Sequence, residues 1–385
     1  MKQASRASGL PAHELADLLA AVRAKQADGH HVISLAMGDP DLPPPPAALE
    51  ALAKAARDER SNRYPPFAGT PELRAAFASR IEQRYGVGLD AETEVLPLAG
   101  SKEGLAHFAL AFLDPGERAL VPGIAYGMYR SSTLLAEGVV REYPLVPSAD
   151  WQPDLEVIEA EAAAAKVLWL NYPHNPTGGV ASAGLFTRLI ELARRHDLIV
   201  AHDLAYGDVY FDEADRPLSI FQFEGAREIA VEFHSVSKSF NMCGFRVGAL
   251  VGSVDAISVM RRLKLNVDNG LYLPVQAAAE AALTVGDEWI AGRNLVYARR
   301  RDLIVEAWRS IGLAATAPKA GLYVWAGVPD GTTSRDFSLR LLDRADVAVT
   351  PGTAYGAQGE GFVRLSLTVP DDDLADALER VRAVV

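Results

Sequence analysis

The segment Ser235-Val236-Ser237-Lys238 puts two hydroxyls and an amine side by side, and Arg246 follows eight residues after the lysine. Upstream, His202-Asp203-Leu204-Ala205-Tyr206 sets a carboxylate three residues before a phenol, and Asn175 opens Asn175-Pro176-Thr177-Gly178. Lysine and aspartate move protons, arginine and serine hold anions, and tyrosine and asparagine aim hydrogen bonds at a bound group. Taken singly, each has an ordinary structural use. Asp203 would serve as a helix N-cap, Asn175 as a turn residue before proline, Tyr206 as an aromatic at the core edge and Lys238 as a surface lysine in a serine-rich turn.

The elements that would position them argue for a common site. From residue 95 onward, short apolar runs recur between helical patterns, at 95–99, 119–121, 139–143, 167–171, 198–201, 230–233 and 247–251. Several are apolar on consecutive residues, as strands covered on both faces are. Strand–helix alternation predicts a mostly parallel sheet in an α/β domain, and ligands of such sheets bind beyond the carboxyl ends of the strands. Gly100-Ser101-Lys102, residues 171–178, 202–206 and 234–238 all fall there. Before this region the pattern predicts a helix over 12–25 and a short strand over 31–36 that enters Gly38-Asp39-Pro40-Asp41. Four prolines at 43–46 predict an extended linker. Helices are expected over 47–58 and 71–85, with a loop over 61–70. After about residue 285 the pattern changes to a long charged helix over 287–310, strands near 322–325 and 362–367, and a helix over 371–384. The expected division is a large α/β domain over 47–285 and a smaller α+β domain made by both chain ends, 1–46 and 286–385.

Composition narrows the function. The 385 residues suit two or three domains, and 49% hydrophobic with 23% charged residues excludes disorder for most of the length. Fifty acidic residues against 38 basic ones disfavour nucleic acid or a membrane surface as partner, because both attract clustered positive charge. Cys243 is the single cysteine, so no internal disulfide or multi-cysteine metal site forms. His30-His31, His202 and His234 lack metal-ligand spacing, and no G-x-G-x-x-G or Walker loop occurs, so neither a metal nor a nucleotide cofactor is expected. The polar first residues lack the apolar core of a signal peptide, and no run approaches the ~20 apolar residues of a membrane span. The expected location is the cytoplasm.

N-P-T-G at 175–178, D-L-A-Y at 203–206 and S-V-S-K-S-F-N-M-C-G-F-R-V-G at 235–248 stand in the order and spacing of one family. The chain resembles the class I/II aminotransferases of the fold type I pyridoxal-phosphate family over nearly its whole length. The resemblance implies a mostly parallel seven-stranded sheet between helices, pyridoxal 5'-phosphate as cofactor and Lys238 as the lysine that binds its aldehyde. By the same resemblance Asp203 partners the pyridine nitrogen, while Asn175 and Tyr206 hydrogen-bond the phenolic oxygen. Arg246, Ser235 and Ser237, with the turn at Ser101 and Lys102, match the phosphate contacts, for which free N–H groups at a strand-to-helix turn are suited. Tyr126 matches the aromatic stacked on the ring, with Tyr129 as competitor. Gly38, Asn175 and Arg364 match substrate-binding positions, Gly38 and Arg364 those that receive the substrate α-carboxylate. Tyr64, in N-R-Y-P-P-F-A-G-T, matches a tyrosine that reaches the neighbouring subunit's phosphate, which implies a homodimer with shared active sites.

The implied reaction moves an amino group between an L-amino acid and a 2-oxo acid by a ping-pong mechanism, with 2-oxoglutarate/glutamate as the expected couple. L-K-L-N-V-D-N-G-L-Y-L-P-V-Q at 263–276 and H-D-L-A-Y at 202–206 resemble the alanine and LL-diaminopimelate branch, so one of those amino acids is the expected partner. A C–S β-lyase of the same fold shares these motifs and is the alternative. Ser235-Val-Ser-Lys238 also fits the S-x-x-K motif of penicillin-recognising serine hydrolases, but K-T-G and S-D-N are absent. A non-catalytic regulator that binds the cofactor needs an appended DNA-binding module, and none is expected. Cys243 is expected to pack as a small hydrophobe near the site.

Overall fold

In the computed structural model, which describes residues 3–11 and 14–385, the seven predicted runs form the strands of one sheet. They are β1 (Val95–Leu98), β2 (Arg118–Pro122), β3 (Val139–Tyr143), β4 (Ala165–Asn171), β5 (Ile199–Asp203), β6 (Ala230–Ser235) and β7 (Gly248–Gly252). Their spatial order is β1-β7-β6-β5-β4-β2-β3. β7 runs antiparallel to both neighbours, and every other pairing is parallel. Along β4 the side chains alternate between two apolar layers, Val167 and Trp169 on one face and Leu168 and Leu170 on the other. Covering both faces is what makes the run continuously apolar. β3 lies at the sheet edge and leaves Val139, Arg141 and Glu142 exposed.

A further core forms around Trp308, Phe337 and Leu365. There Tyr323–Gly327, Phe362–Ser366 and Thr350–Pro351 make a three-stranded antiparallel sheet, backed by helices Asp287–Ser310, Ser334–Ala345 and Asp371–Val384. The N-terminal segment joins it, with Ile33–Ser34 pairing in parallel with Val347–Ala348.

Local chemistry accounts for the departures from expectation. The helix predicted over 47–58 is Pro46–Ala56, so the fourth proline is not part of an extended linker. Its fixed φ suits the first helical position, where the missing N–H has no partner to lose. Helix Pro71–Tyr85 has the same start, with Thr70 Oγ1 accepting from Leu73 N at 3.3 Å, and it ends at left-handed Gly86. The strand predicted over 31–36 shortens to Ile33–Ser34, and the predicted loop over 61–70 begins inside a 3₁₀ turn, Glu59–Asn62. For the helix predicted over 12–25, Ala12 and His13 lie outside the described residues, and the observed helix is Glu14–Ala27. Among the described residues no helix is long and apolar enough to cross a membrane.

Candidate active site

One cavity of about 640 Å³ opens at the carboxyl edge of the sheet. Its walls include Ser101 and Lys102 after β1, Tyr126 after β2, Asn175 after β4, Asp203 and Tyr206 at the end of β5, and Ser235, Ser237 and Lys238 after β6. Arg246 precedes its strand instead of following it. It joins the others because β7 is antiparallel and presents its amino end to the same edge. Gly100 has a φ of +79° and opens helix Ser101–Phe112, and a Cβ there would lie 2.2 Å from Arg246 Nη2. Glycine therefore lets the guanidinium approach the helix's unpaired first N–H groups.

Lys238 projects from the short helix Val236–Ser239, which Ser235 caps by accepting from Ser237 N at 3.2 Å. Its amine donates to the Gly38 carbonyl and lies 3.1 Å from Cys243 Sγ. Cys243 lines the cavity, and burial pushes its thiol up despite the neighbouring lysine. Gly38 has no room for a side chain, since a Cβ would lie 1.7 Å from Tyr323 Oη.

Asp203 is 4% exposed. Tyr129 Oη donates to its Oδ2 at 2.8 Å and Ala205 N to its Oδ1 at 3.2 Å. Burial pushes this carboxyl above its ordinary range, against the pull of those hydrogen bonds and of His202 and His234. Tyr129 stacks on Trp169 with centroids 5.5 Å apart, which holds the phenol on the carboxylate. Tyr126 stands edge-on to Tyr129 at 6.0 Å and lines the cavity, its hydroxyl pushed up to about 12 by burial and by Asp203. Asn171 braces the two loops, donating to Asp203 O at 2.8 Å and accepting from Asn175 N at 2.9 Å. His174 bonds to Thr177 Oγ1 at 2.8 Å and to the Ile124 carbonyl at 3.0 Å, tying the Asn175 loop to the segment that carries Tyr126. On β6, paired with His202 of β5, the fully buried Glu232 contacts His202 Nδ1 at 3.0 Å and His234 Nε2 at 2.8 Å. Burial alone would raise Glu232, but the hydrogen bonds from the two histidines outweigh it and hold the carboxyl at about 2.

Arg364 enters from strand Phe362–Ser366, and its guanidinium carbon lies over the rings of Tyr323, at 3.8 Å, and Tyr355, at 4.8 Å. It donates to Asn175 Oδ1 at 3.1 Å and to Ala36 O at 2.6 Å, so it links the two cores at the cavity. Tyr206 Oη meets Tyr323 Oη at 3.2 Å. Tyr64 does not line this cavity; it is 87% exposed on the loop before helix Pro71–Tyr85. Asn171, Tyr323 and Tyr355 carry no motif that would single them out in the sequence. Tyr129, weighed only as a competitor of Tyr126, proves to be the hydrogen-bond donor to Asp203.

Residues 30–381 match the family model for aminotransferase class I and II. The chain belongs to that family. It is similar to the LL-diaminopimelate aminotransferase of Dehalococcoides mccartyi, at 47% identity over 99% of this chain and 98% of the relative. Its similarity to the enzyme of the same description from Gloeobacter violaceus is 43% over 100% and 98%. Among solved structures, substrate-bound BacF from Bacillus subtilis matches with a TM-score of 0.95 and 35% identity, covering 100% of this chain and 98% of that one. A probable N-succinyldiaminopimelate aminotransferase from Thermus thermophilus matches with a TM-score of 0.91 and 37% identity, over 97% and 100%. The aminotransferase is thus a pyridoxal 5'-phosphate enzyme that moves amino groups between amino acids and 2-oxo acids. The cavity suits that cofactor in size and in donor set. It offers hydroxyls, a guanidinium and a helix N-terminus for a phosphate, a buried carboxylate for a ring nitrogen, and an amine for an aldehyde.

Proposed function

We propose that this aminotransferase works on LL-diaminopimelate, with 2-oxoglutarate and glutamate as the amino couple. The supporting observation is full-length identity of 40% to 47% with relatives described as LL-diaminopimelate aminotransferases. Arg246, Ser235, Ser237 and the turn at Ser101 and Lys102 would hold the cofactor phosphate, and Tyr126 would pack on its ring. Asp203 would hold the ring nitrogen, and Asn175 and Tyr206 would donate to the phenolic oxygen. Bound there, pyridoxal phosphate supplies a sink for the electron pair left when the substrate Cα–H bond breaks. Lys238 Nζ would take up and hold the proton from the substrate Cα. Arg364 clamps the α-carboxylate as a planar fork, and the bare backbone at Gly38 allows that carboxylate to come close. One clamp serves both half-reactions, so the two substrates use the site in turn.

The proposal includes a cytoplasmic homodimer in which Tyr64 of the partner subunit completes the phosphate contacts. The 87% exposure of Tyr64, with Phe67 beside it at 45%, supports an unfilled role on this chain's own surface. It also includes the division into a large domain over 47–285 and a small one over 1–46 and 286–385. A panel of amino donors with 2-oxoglutarate tests the substrate, and kcat/KM for LL-diaminopimelate should exceed that for alanine by ~10-fold or more. Equal or better use of alanine refutes the assignment. Pyruvate and ammonia from cystathionine without any need for 2-oxoglutarate would instead mark a C–S lyase.

A further inference from the structure

Behind the turn that carries Lys238 lies a second polar cluster that amino transfer does not use. Helix Pro71–Tyr85 buries Arg80 and Arg84, at 8% and 7% exposure, and helix Asp287–Ser310 buries Arg293 at 5%. One buried carboxylate faces them. Asp208 Oδ1 accepts from Arg80 Nη2 at 2.9 Å and lies 3.0 Å from Arg84 Nε. Among the described residues the other acid in ion-pair range of Arg80 and Arg84 is Asp287, at 3.6 and 3.7 Å, with a side chain 71% exposed. Arg293 turns its donors to neutral acceptors, the carbonyls of Lys238 at 2.9 Å, Ser239 and Asp208 and the side-chain oxygen of Asn294 at 2.7 Å. Among the described residues these three guanidiniums have two carboxylates in ion-pair range, one of them mostly in water, and the next buried acid, Glu232, is engaged by His202 and His234, so one positive charge lies in the interior without a paired counterion.

The hydrogen bonds are short by a similar amount. Arg80 Nε, Arg84 Nε and Arg84 Nη2 are buried and have no hydrogen-bond partner among the described residues. Arg84 Nε is close to Asp208, but its N–H is not directed at that oxygen. A buried charged donor without a partner is strongly destabilising, so a fold that keeps three of them calls for an acceptor. A cavity of about 20 Å³ lies among these groups, its polar wall made by Arg80, Arg84, Tyr85, Asp208, Ser235 and Ser239 and the rest of its lining largely apolar. That volume admits a single particle about the size of a water molecule and no phosphate or carboxylate. His234 also faces it, but its Nε2 is taken by Glu232.

We propose that this cavity binds one monovalent anion of halide size. Water would meet the unpartnered donors but not the excess charge; chloride meets both. Arg293 joins the cluster to the Lys238 backbone, so the bound ion braces the turn from which the reacting amine projects.

Crystals of the holoenzyme soaked in sodium bromide, measured at the bromine edge, should show an anomalous peak in the cavity within hydrogen-bond range of Arg84. Ordinary solvent density without an anomalous peak at saturating bromide would mean water and overturns the proposal. In solution, replacing gluconate by chloride at constant ionic strength should raise the holoenzyme's thermal midpoint saturably, by about 3 °C. Arg84→Gln, which keeps donors but removes the charge, should abolish the rise. A rise of the same size in the variant, or one that never saturates, is incompatible with a site at the cluster. The bromide experiment needs only the unmodified protein, so it decides even if the variant folds poorly.

Discussion

Tyr129→Phe tests how the fold supports the acid at position 203. The substitution keeps the ring and its stacking on Trp169 and removes only the hydroxyl that donates to Asp203 Oδ2 at 2.8 Å. A hydrogen bond to a charged group contributes about 1.5–3 kcal/mol, a factor of roughly 10–100. Its direction is set by the state it favours. Tyr129 donates to the carboxylate and so opposes burial, which already pushes Asp203 above its ordinary range. Without it the carboxyl rises further, and its charged form, the proposed partner of the cofactor's ring nitrogen, is less favoured. The assay is cofactor affinity by absorbance titration alongside kcat/KM over pH. The cofactor Kd should rise and kcat/KM fall by ~10–100-fold, with the circular dichroism spectrum unchanged. Values within twofold of the parent enzyme would refute the reasoning.

Arg364→Lys replaces the fork that lies on Tyr323 and reaches Asn175 and Ala36. Steady-state kinetics should show KM rising ~10-fold or more for the amino acid and for the 2-oxo acid alike, and an effect on one substrate only would contradict a shared clamp. Gly100→Ala forces a left-handed residue and drives a Cβ toward Arg246, so cofactor affinity should fall; unchanged affinity would separate that turn from the phosphate. Glu232 is held at about 2 against an ordinary 4.5, so it stabilises the fold above the ordinary value and loses this as pH falls toward 2. The gap corresponds to about 3 kcal/mol. Glu232→Gln should therefore lower stability in urea at neutral pH by a margin that narrows as pH drops from about 5 to about 3, and a margin constant with pH would contradict the assignment.

The sheet was legible because its strands are covered on both faces, which writes runs such as Val167–Leu170 as unbroken apolar stretches. Asp203, Asn175 and Lys238 were legible because each sits within a few residues of a strand end. Arg246 was legible through its closeness in sequence to Lys238 and through its motif, while the reason it reaches the same edge, the antiparallel direction of β7, was not. Contacts between distant segments left no such trace. Tyr323 and Tyr355 reach the cavity from the smaller sheet, and the Tyr129–Asp203 bond spans 74 residues. Pairing of Ile33 with Val347 needs both chain ends in place before a two-residue strand exists. Arg80, Arg84 and Arg293 belong to no motif, and only packing shows that they are buried.

Borohydride reduction of the holoenzyme, followed by proteolysis and mass spectrometry, tests the central claim most directly. The account predicts a reduced cofactor adduct on the peptide containing Lys238 and on no other lysine. An adduct on a different lysine, or none after saturation with pyridoxal phosphate, would contradict it.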